Sequence, residues 1–382
     1  MTIGINGYEA VVSRFGINEK TGLPVRVGSS EYVFQLLIKL NKIDKDNDYR
    51  IYIPSIASGF NPKTLGLPLE DEHWKYIAVE KKVGPWTMVA LSRRLFKDKN
   101  KLDVFFSPTH YLPLRIPCPS VISILDVSYL YFPELFKKKD LYQLKLWGGH
   151  SIKKATKVLT ISKSSKNDII NEYKIKAEKV VVTYPGIKQI ANMDKEELDK
   201  KFDIKGDYIL FVGTIQPRKN IKRLIQAFAK LNKKDLNLVI VGKKGWMYEE
   251  TLNTPQDLGI SEKVKFLDFV SDKELPSLYK NALCFVLPSL YEGFGLPLLE
   301  AMQYGCPVIT SNISSLPEAA GEAALYVDPE SVDDIAEKME KLVTEPKLRE
   351  DLIKKGYEQV KKFSWEKTAR ETLKVLEEVG GK

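Results

Sequence analysis

Cysteine is scarce: Cys118, Cys284 and Cys306 are the three in 382 residues. An odd number, wide spacing and no Cys-x-x-Cys argue against a disulfide framework and a zinc site, and predict a reducing compartment. Histidine is as rare; His73, His110 and His150 share no metal-ligand spacing, and no bound metal is expected. No run of eighteen apolar residues is present, so no membrane-spanning helix is predicted. The first thirty residues lack the apolar segment of a signal peptide. A cytoplasmic protein is the expectation. Tandem repeats and low-complexity tracts are also missing.

What remains is globular in composition, 43% hydrophobic and 29% charged, and long enough for two cores. The net charge of +9 is uneven. Residues 1–185 hold 29 Lys and Arg against 18 Asp and Glu; the remainder holds 30 against 32. The basic half has two readings, an anionic partner or a lysine-rich solvated surface.

Short β-rich runs alternate with helical spacing. Strands are predicted at 104–106, 120–124, 157–161, 208–212, 238–241, 264–266 and 284–287. Helical spacing fills 135–154 and 221–231, the latter with Leu224, Ile225, Phe228 and Leu231 on one face. Apolar strands alternating with helices predict doubly wound parallel sheets. The alternation restarts after a polar break at 183–204, so two such domains are expected, 1–185 and 186–363. A last amphipathic helix at 364–380, with Ser364 as N-cap, is expected to return to the first domain.

The chemistry concentrates in two segments. In Pro288-Ser-Leu-Tyr-Glu-Gly-Phe-Gly-Leu-Pro-Leu-Leu-Glu300, a strand passes through Gly293 and Gly295 into a helix with Pro297 in its first turn. Glycines permit a close backbone approach, and the unpaired N–H groups of a helix start favour an anion. Glu292 and Glu300 flank that start, eight positions apart. Carboxylates repel phosphate, so their use there is hydroxyl recognition, as acceptors for vicinal diols. A ligand with a central diphosphate and a sugar at each end meets all three demands. In Phe211-Val-Gly-Thr-Ile-Gln-Pro-Arg-Lys-Asn220, Arg218 and Lys219 follow a strand end, where parallel sheets place their ligands. Fixed cations there stabilise a departing diphosphate, and Asn220 is the predicted N-cap of the next helix.

Together these segments resemble the retaining glycosyltransferases of family 4. Glu292…Glu300 matches that family's Glu-x7-Glu signature, and Gly213…Arg218-Lys219-Asn220 its diphosphate grip. Gly305-Cys-Pro-Val-Ile-Thr-Ser311, Pro317-Glu318, Ser364-Trp365 and Pro185-Gly186-Ile187 also resemble family positions. The resemblance implies the GT-B architecture, two Rossmann-like doubly wound parallel-sheet domains facing a cleft. It implies that Glu300 binds the donor ribose and Glu292 the transferred sugar. Gly293, Phe294, Gly295 and Leu296 would meet sugar and phosphate. Arg218, Lys219, Gly213 and Thr214 would hold the diphosphate. It implies retention of anomeric configuration, without a bound metal or other cofactor.

Two positions depart from the family pattern: Thr214 stands where many relatives have arginine, and Leu125-Asp126 where many read His-Asp. Asp126 is a candidate acceptor contact, with a turn cap as its alternative. Arg26-Val-Gly-Ser-Ser30 resembles the family's N-terminal glycine-rich loop, placing Gly28 and Ser29 near diphosphate or acceptor. The segment 241–248 resembles mannosyl- and rhamnosyl-transferring relatives and favours GDP-mannose as donor. The acceptor expected is a glycan or a lipid-linked glycan. Cations interleaved with aromatics at 93–101 and 136–147 offer peripheral contact with the inner face of the plasma membrane, or are solvated faces of core helices.

Three other readings compete. A non-catalytic nucleotide-sugar sensor of the same fold would bind without turnover. A nucleic-acid binder has only the basic half in its favour, and no nucleic-acid partner is expected. A nicotinamide dehydrogenase lacks its Gly-x-Gly-x-x-Gly after a strand.

Overall fold

The structure is a computed structural model that describes residues 1–12, 26, 28–55, 60–81, 84–98, 101–188, 201–204, 206–268, 270–271 and 273–382. Val27 of the glycine-rich loop, residues 99 and 100 of the basic stretch, and residues 189–200 of the polar break lie outside them. The chain divides into two compact units. The first comprises Met1–Tyr131, Phe136–Gly186 and Ser364–Lys382; the second comprises Phe132–Leu135 and Ile187–Phe363.

The first unit is built on a seven-stranded sheet. Its strands are β1 (Thr2–Asn6), β2 (Asp48–Pro54), β3 (Trp74–Val79), β4 (Val104–Ser107), β5 (Ser120–Ser123), β6 (Lys157–Thr160) and β7 (Val180–Val182). The order is β3-β2-β1-β4-β5-β6-β7, and every pairing is parallel. Successive side chains on a strand point to opposite faces, so each strand feeds two cores. Ile51 and Ile53 pack with Phe106, Val121 and the helix Ser29–Ile43, whereas Tyr52 packs with Phe105, Ile122 and Val158 on the other side. Phe105 and Phe106 are neighbours in sequence and fully buried on opposite faces. Each such ring stabilises the fold by roughly 1.5–3 kcal/mol.

The terminal helix, Trp365–Gly380, belongs to the first unit. Ser364 caps it by accepting from the Lys367 N–H at 3.1 Å. Trp365 lies edge-on to Tyr32 at 5.9 Å, and Thr368 Oγ1 donates to the Tyr184 carbonyl at 2.6 Å. Gly186 meets the helix start so closely that an added Cβ would stand 2.0 Å from the Trp365 nitrogen.

The helical spacing at 135–154 becomes three pieces: the helix Lys138–Gln143, a π-turn at Leu144–Gly148 and the helix Gly149–Lys154. Phe136 and Leu144 pack against the core, while Tyr142 and Leu146 are exposed. No helix among the described residues is long and apolar enough to cross a membrane.

The second unit carries a six-stranded sheet: β8 (Asp207–Val212), β9 (Leu236–Val241), β10 (Val264–Leu267), β11 (Cys284–Leu287), β12 (Val308–Ser311) and β13 (Ala324–Val327). Its order, β10-β9-β8-β11-β12-β13, is again wholly parallel. The helix Ile221–Leu231 buries Leu224, Ile225 and Phe228 as its spacing predicts. Both sheets reverse winding direction at one place, between β1 and β4 and between β8 and β11. In open parallel sheets, ligands bind outside the strand C-termini at such a reversal.

Candidate functional site

The reversal in the second unit is occupied by charge. The loop leaving β8 turns through Gly213 into a 3-10 turn, Pro217–Lys219, and then enters the helix Ile221–Leu231. Three backbone bonds tie this loop to the one after β9. The Gly213 N–H donates to the Val241 carbonyl, Ile215 to Lys243, and Gly245 to Ile215, each at 2.9 Å. Gly242 is required by the contact: a Cβ there would lie 2.0 Å from the Gly213 oxygen. The loop therefore presents Arg218 and Lys219 from a docked backbone.

Asn220 occupies the N-cap position, but its side chain does not cap the helix. Its backbone is left-handed (φ +59°), a conformation asparagine tolerates better than most residues. Its amide instead donates to the carbonyls of Pro288 and Pro329 at 2.9 and 2.6 Å. That corrects the N-cap expectation: the amide binds this loop to the segments after β11 and β13.

That segment brings Glu292 to the cations. Lys219 Nζ donates to Glu292 Oε1 at 2.5 Å, and Arg218 Nη1 lies 3.2 Å from Glu292 Oε2. Ser289 Oγ donates to Oε1 at 2.7 Å. The backbone of Glu292 is held as well: its N–H donates to Ser314 Oγ, and the hydroxyls of Ser314 and Ser315 donate to its carbonyl. Arg218 also donates to the Tyr291 carbonyl, and the Leu290 N–H to the Arg218 carbonyl at 2.9 Å. Glu292 is 7% exposed and Lys219 8%. Burial pushes the Glu292 carboxyl upward, but Lys219 and Arg218 overrule it and hold the group at about 2.

Beyond Glu292 the chain passes Gly293, Phe294 and Gly295, all buried. Gly295, at φ +100°, opens the helix Leu296–Gln303, with Pro297 in its first turn. The first amides of a helix have no intrahelical acceptor, and their dipoles favour an anion. Glu300 stands in the last turn of this short helix, half-buried, and Oε2 accepts from Tyr279 Oη at 3.1 Å. The structure thus joins Arg218, Lys219 and Glu292 directly, and sets Glu300 at the other end of the helix they adjoin. Thr214 is exposed on the docked loop.

The remaining candidates belong to the first unit. Asp126 follows β5, and its Oδ1 accepts from the Ser128 N–H at 2.8 Å, the turn-cap geometry. Leu125 packs against the core. Gly28, at φ +54°, precedes the helix Ser29–Ile43 and has open space where a Cβ would stand. Among the described residues, no group of three or more His, Cys, Asp or Glu is placed to hold a metal.

Sequence reasoning did not find Ser289, Ser314, Ser315 or Tyr279. Ser289 sits three residues before Glu292, a local signal of side-chain contact. The others reach their partners from 21 to 23 residues away in sequence and leave no local pattern.

A cation pair, a buried carboxylate and a helix start meet at the winding reversal, where doubly wound sheets place their ligands. Comparison with known proteins agrees: the family model described as glycosyl transferases group 1 matches residues 194–359. The chain is 34% identical over 279 residues to the O-antigen chain mannosyltransferase B of Escherichia coli, covering 71% of this chain and 73% of that one. Sucrose-phosphate synthase from Thermosynechococcus elongatus superimposes with a TM-score of 0.72 at 18% identity, covering 99% of this chain and 98% of that one. HepE of Anabaena, solved with UDP-glucose, gives 0.72 at 15%, covering 99% and 100%. The chain belongs to the group 1 glycosyltransferases and has their two-sheet GT-B fold.

Proposed function

We propose that this glycosyltransferase transfers mannose from GDP-mannose to a glycan or lipid-linked acceptor, with retention of anomeric configuration and without a metal. The observation that carries the reading is the ion cluster of buried Lys219 and Glu292 with half-buried Arg218, beside the helix start at Gly295. The donor diphosphate displaces the Glu292 carboxylate from Lys219 and Arg218 and takes its place. The released carboxylate then accepts from hydroxyls of the transferred sugar, and Glu300 accepts from the ribose. When the sugar–phosphate bond breaks, the electron pair leaves with the diphosphate, the acceptor hydroxyl bonds to the anomeric carbon, and its proton passes to the departing phosphate oxygen. The two cations, already desolvated, stabilise that charge more in the transition state than in the ground state. Backbone amides of Gly293 to Leu296 supply further donors, and Gly213 and Thr214 border the diphosphate.

Mannose as the sugar draws on the likeness to the O-antigen mannosyltransferase and on the 241–248 segment. Asp126, Gly28 and Ser29 are the acceptor-side proposals. A membrane-peripheral site of action fits a lipid-linked acceptor and the basic first half of the chain.

The test is thermal stabilisation by GDP-, UDP- and ADP-sugars, followed by transfer from the best donor and NMR of the product anomer. A ligand specific to the native state raises the melting temperature. Stabilisation by GDP-mannose and an α-linked product are expected. Stabilisation only by another nucleotide sugar overturns the donor, an inverted product overturns retention, and binding without turnover favours the sensor reading.

A further inference from the structure

Tyr279 is fully buried in the helix Glu274–Asn281. Its ring meets Phe285 edge-on at 5.4 Å and lies nearly parallel to Tyr304, at 6.2 Å and 11°. Packing on these sides fixes the phenol, so the direction of its O–H is set before any ligand arrives. The hydroxyl donates to Glu300 Oε2 at 3.1 Å. Burial, reinforced by the Glu300 charge, drives the phenol well above its ordinary range, so it stays a donor.

Glu300 needs such a partner. It lies in the last turn of the helix Leu296–Gln303, where the helix dipole disfavours a carboxylate. A half-exposed glutamate also has three rotatable bonds to immobilise before it can accept two hydroxyls at once. An ionised carboxylate has about four acceptor positions, of which the phenol takes one and a diol would take two.

We propose that Tyr279 is a positioning residue that pre-sets the Glu300 carboxylate for a vicinal diol, and thereby makes nucleotide binding selective for ribose over dideoxyribose. The proposal rests on the reading of Glu300 as the ribose ligand. Its energetic content is pre-organisation: the immobilisation of Glu300 occurs on folding rather than on binding.

The experiment measures dissociation constants for GDP, UDP and ADP and for their 2′,3′-dideoxy counterparts, with wild type and Tyr279→Phe, by calorimetry. Phenylalanine keeps the ring packing, and circular dichroism checks the fold. For the nucleotide that wild type binds best, removing the diol weakens binding by about thirtyfold, the net worth of two ordinary hydrogen bonds. In Tyr279→Phe, binding of the ribonucleotide weakens by about tenfold, while that of the dideoxy form is unchanged. The ribose preference falls to about threefold.

Equal preference in variant and wild type makes Tyr279 a packing residue and overturns the proposal. No preference in the wild type, or no binding of any of the three nucleotides, overturns the reading of Glu300 instead. If Tyr279→Phe does not fold, site-specific 3-fluorotyrosine, a stronger donor of nearly the same shape, takes its place. It is expected to increase the ribose preference about twofold, and an unchanged preference counts against the proposal.

Discussion

The two sheets solve the same topological problem with different chemistry. Both reverse winding between a first and a fourth strand, and both bring two strand ends together there. In the first unit the partners are neutral: Asn6, ending β1, donates through Nδ2 to Ser107 Oγ, ending β4, at 3.1 Å. Ser107 Oγ donates to the Tyr111 carbonyl at 2.7 Å, and Asn6 Oδ1 accepts from the Tyr8 N–H. That small closed network satisfies its own members. In the second unit the loops beyond β8 and β11 meet as buried Lys219 and Glu292 with half-buried Arg218. A buried ion cluster is a poor way to stabilise a fold, because desolvation offsets most of the Coulomb gain. Among the described residues, the strand ends β1 and β4 thus pair neutral side chains where the loops beyond β8 and β11 pair ions.

The largest effect that separates the two reversals is expected from Lys219→Ala. Removing one partner leaves Glu292 buried with reduced compensation, at a cost of about 3 kcal/mol. Transfer falls by about a hundredfold or more with the loss of a fixed cation. Urea denaturation and steady-state rates check both numbers; wild-type kinetics in this variant would remove the cluster from the chemistry.

Acid titration comes next. The folded Glu292 carboxyl sits at about 2, below the ordinary carboxylate range. A depressed folded value means that the pair's stability is present above the unfolded value, near 4, and is lost as pH falls toward 2. The Glu292→Gln variant therefore loses less stability than wild type between pH 5 and 2. Parallel denaturation curves across that range would show that the ion pair contributes nothing.

Gly242→Ala tests the docking of the cation loop. The new methyl would overlap the Gly213 carbonyl, so the Gly213–Thr214 backbone has to shift. Donor affinity is expected to fall by about tenfold, as pre-organisation of the loop is lost. Unchanged affinity would mean that the loop is placed from its other end, by Asn220.

The smallest effect belongs to the neutral reversal. Ser107→Ala removes a buried hydroxyl from its network and is expected to cost about 1 kcal/mol, with no change in nucleotide affinity. A loss of nucleotide affinity in this variant would erase the distinction between the units.

The same contrast explains what was legible in the sequence. Parallel sheets could be read because strands buried on both faces are near-continuous apolar runs, as at Val104–Ser107 and Cys284–Leu287. Arg218, Lys219 and Glu292 stood out because each follows a strand end within a glycine-bearing loop. Their mutual pairing did not: it joins positions 73 and 74 residues apart, and only the β8–β11 adjacency brings them together. Tyr279 was hidden for the same reason, since a buried tyrosine in an amphipathic helix reads as packing. The π-turns at Trp86–Leu91 and Leu144–Gly148 were unreadable because a slipped hydrogen-bond register leaves the apolar spacing nearly intact. Asn220 was assigned to the N-cap by residue type, whereas its left-handed backbone and the carbonyls of Pro288 and Pro329 decided its use.

The central claim is that Glu292 holds the place of the donor diphosphate until the donor arrives. Calorimetric titration of wild type and Glu292→Gln with GDP, lacking any sugar, addresses it directly. Neutralising the resident carboxylate without changing its shape removes the competitor for Lys219 and Arg218, and the variant is predicted to bind GDP about tenfold more tightly. Equal or weaker binding by the variant would contradict the account.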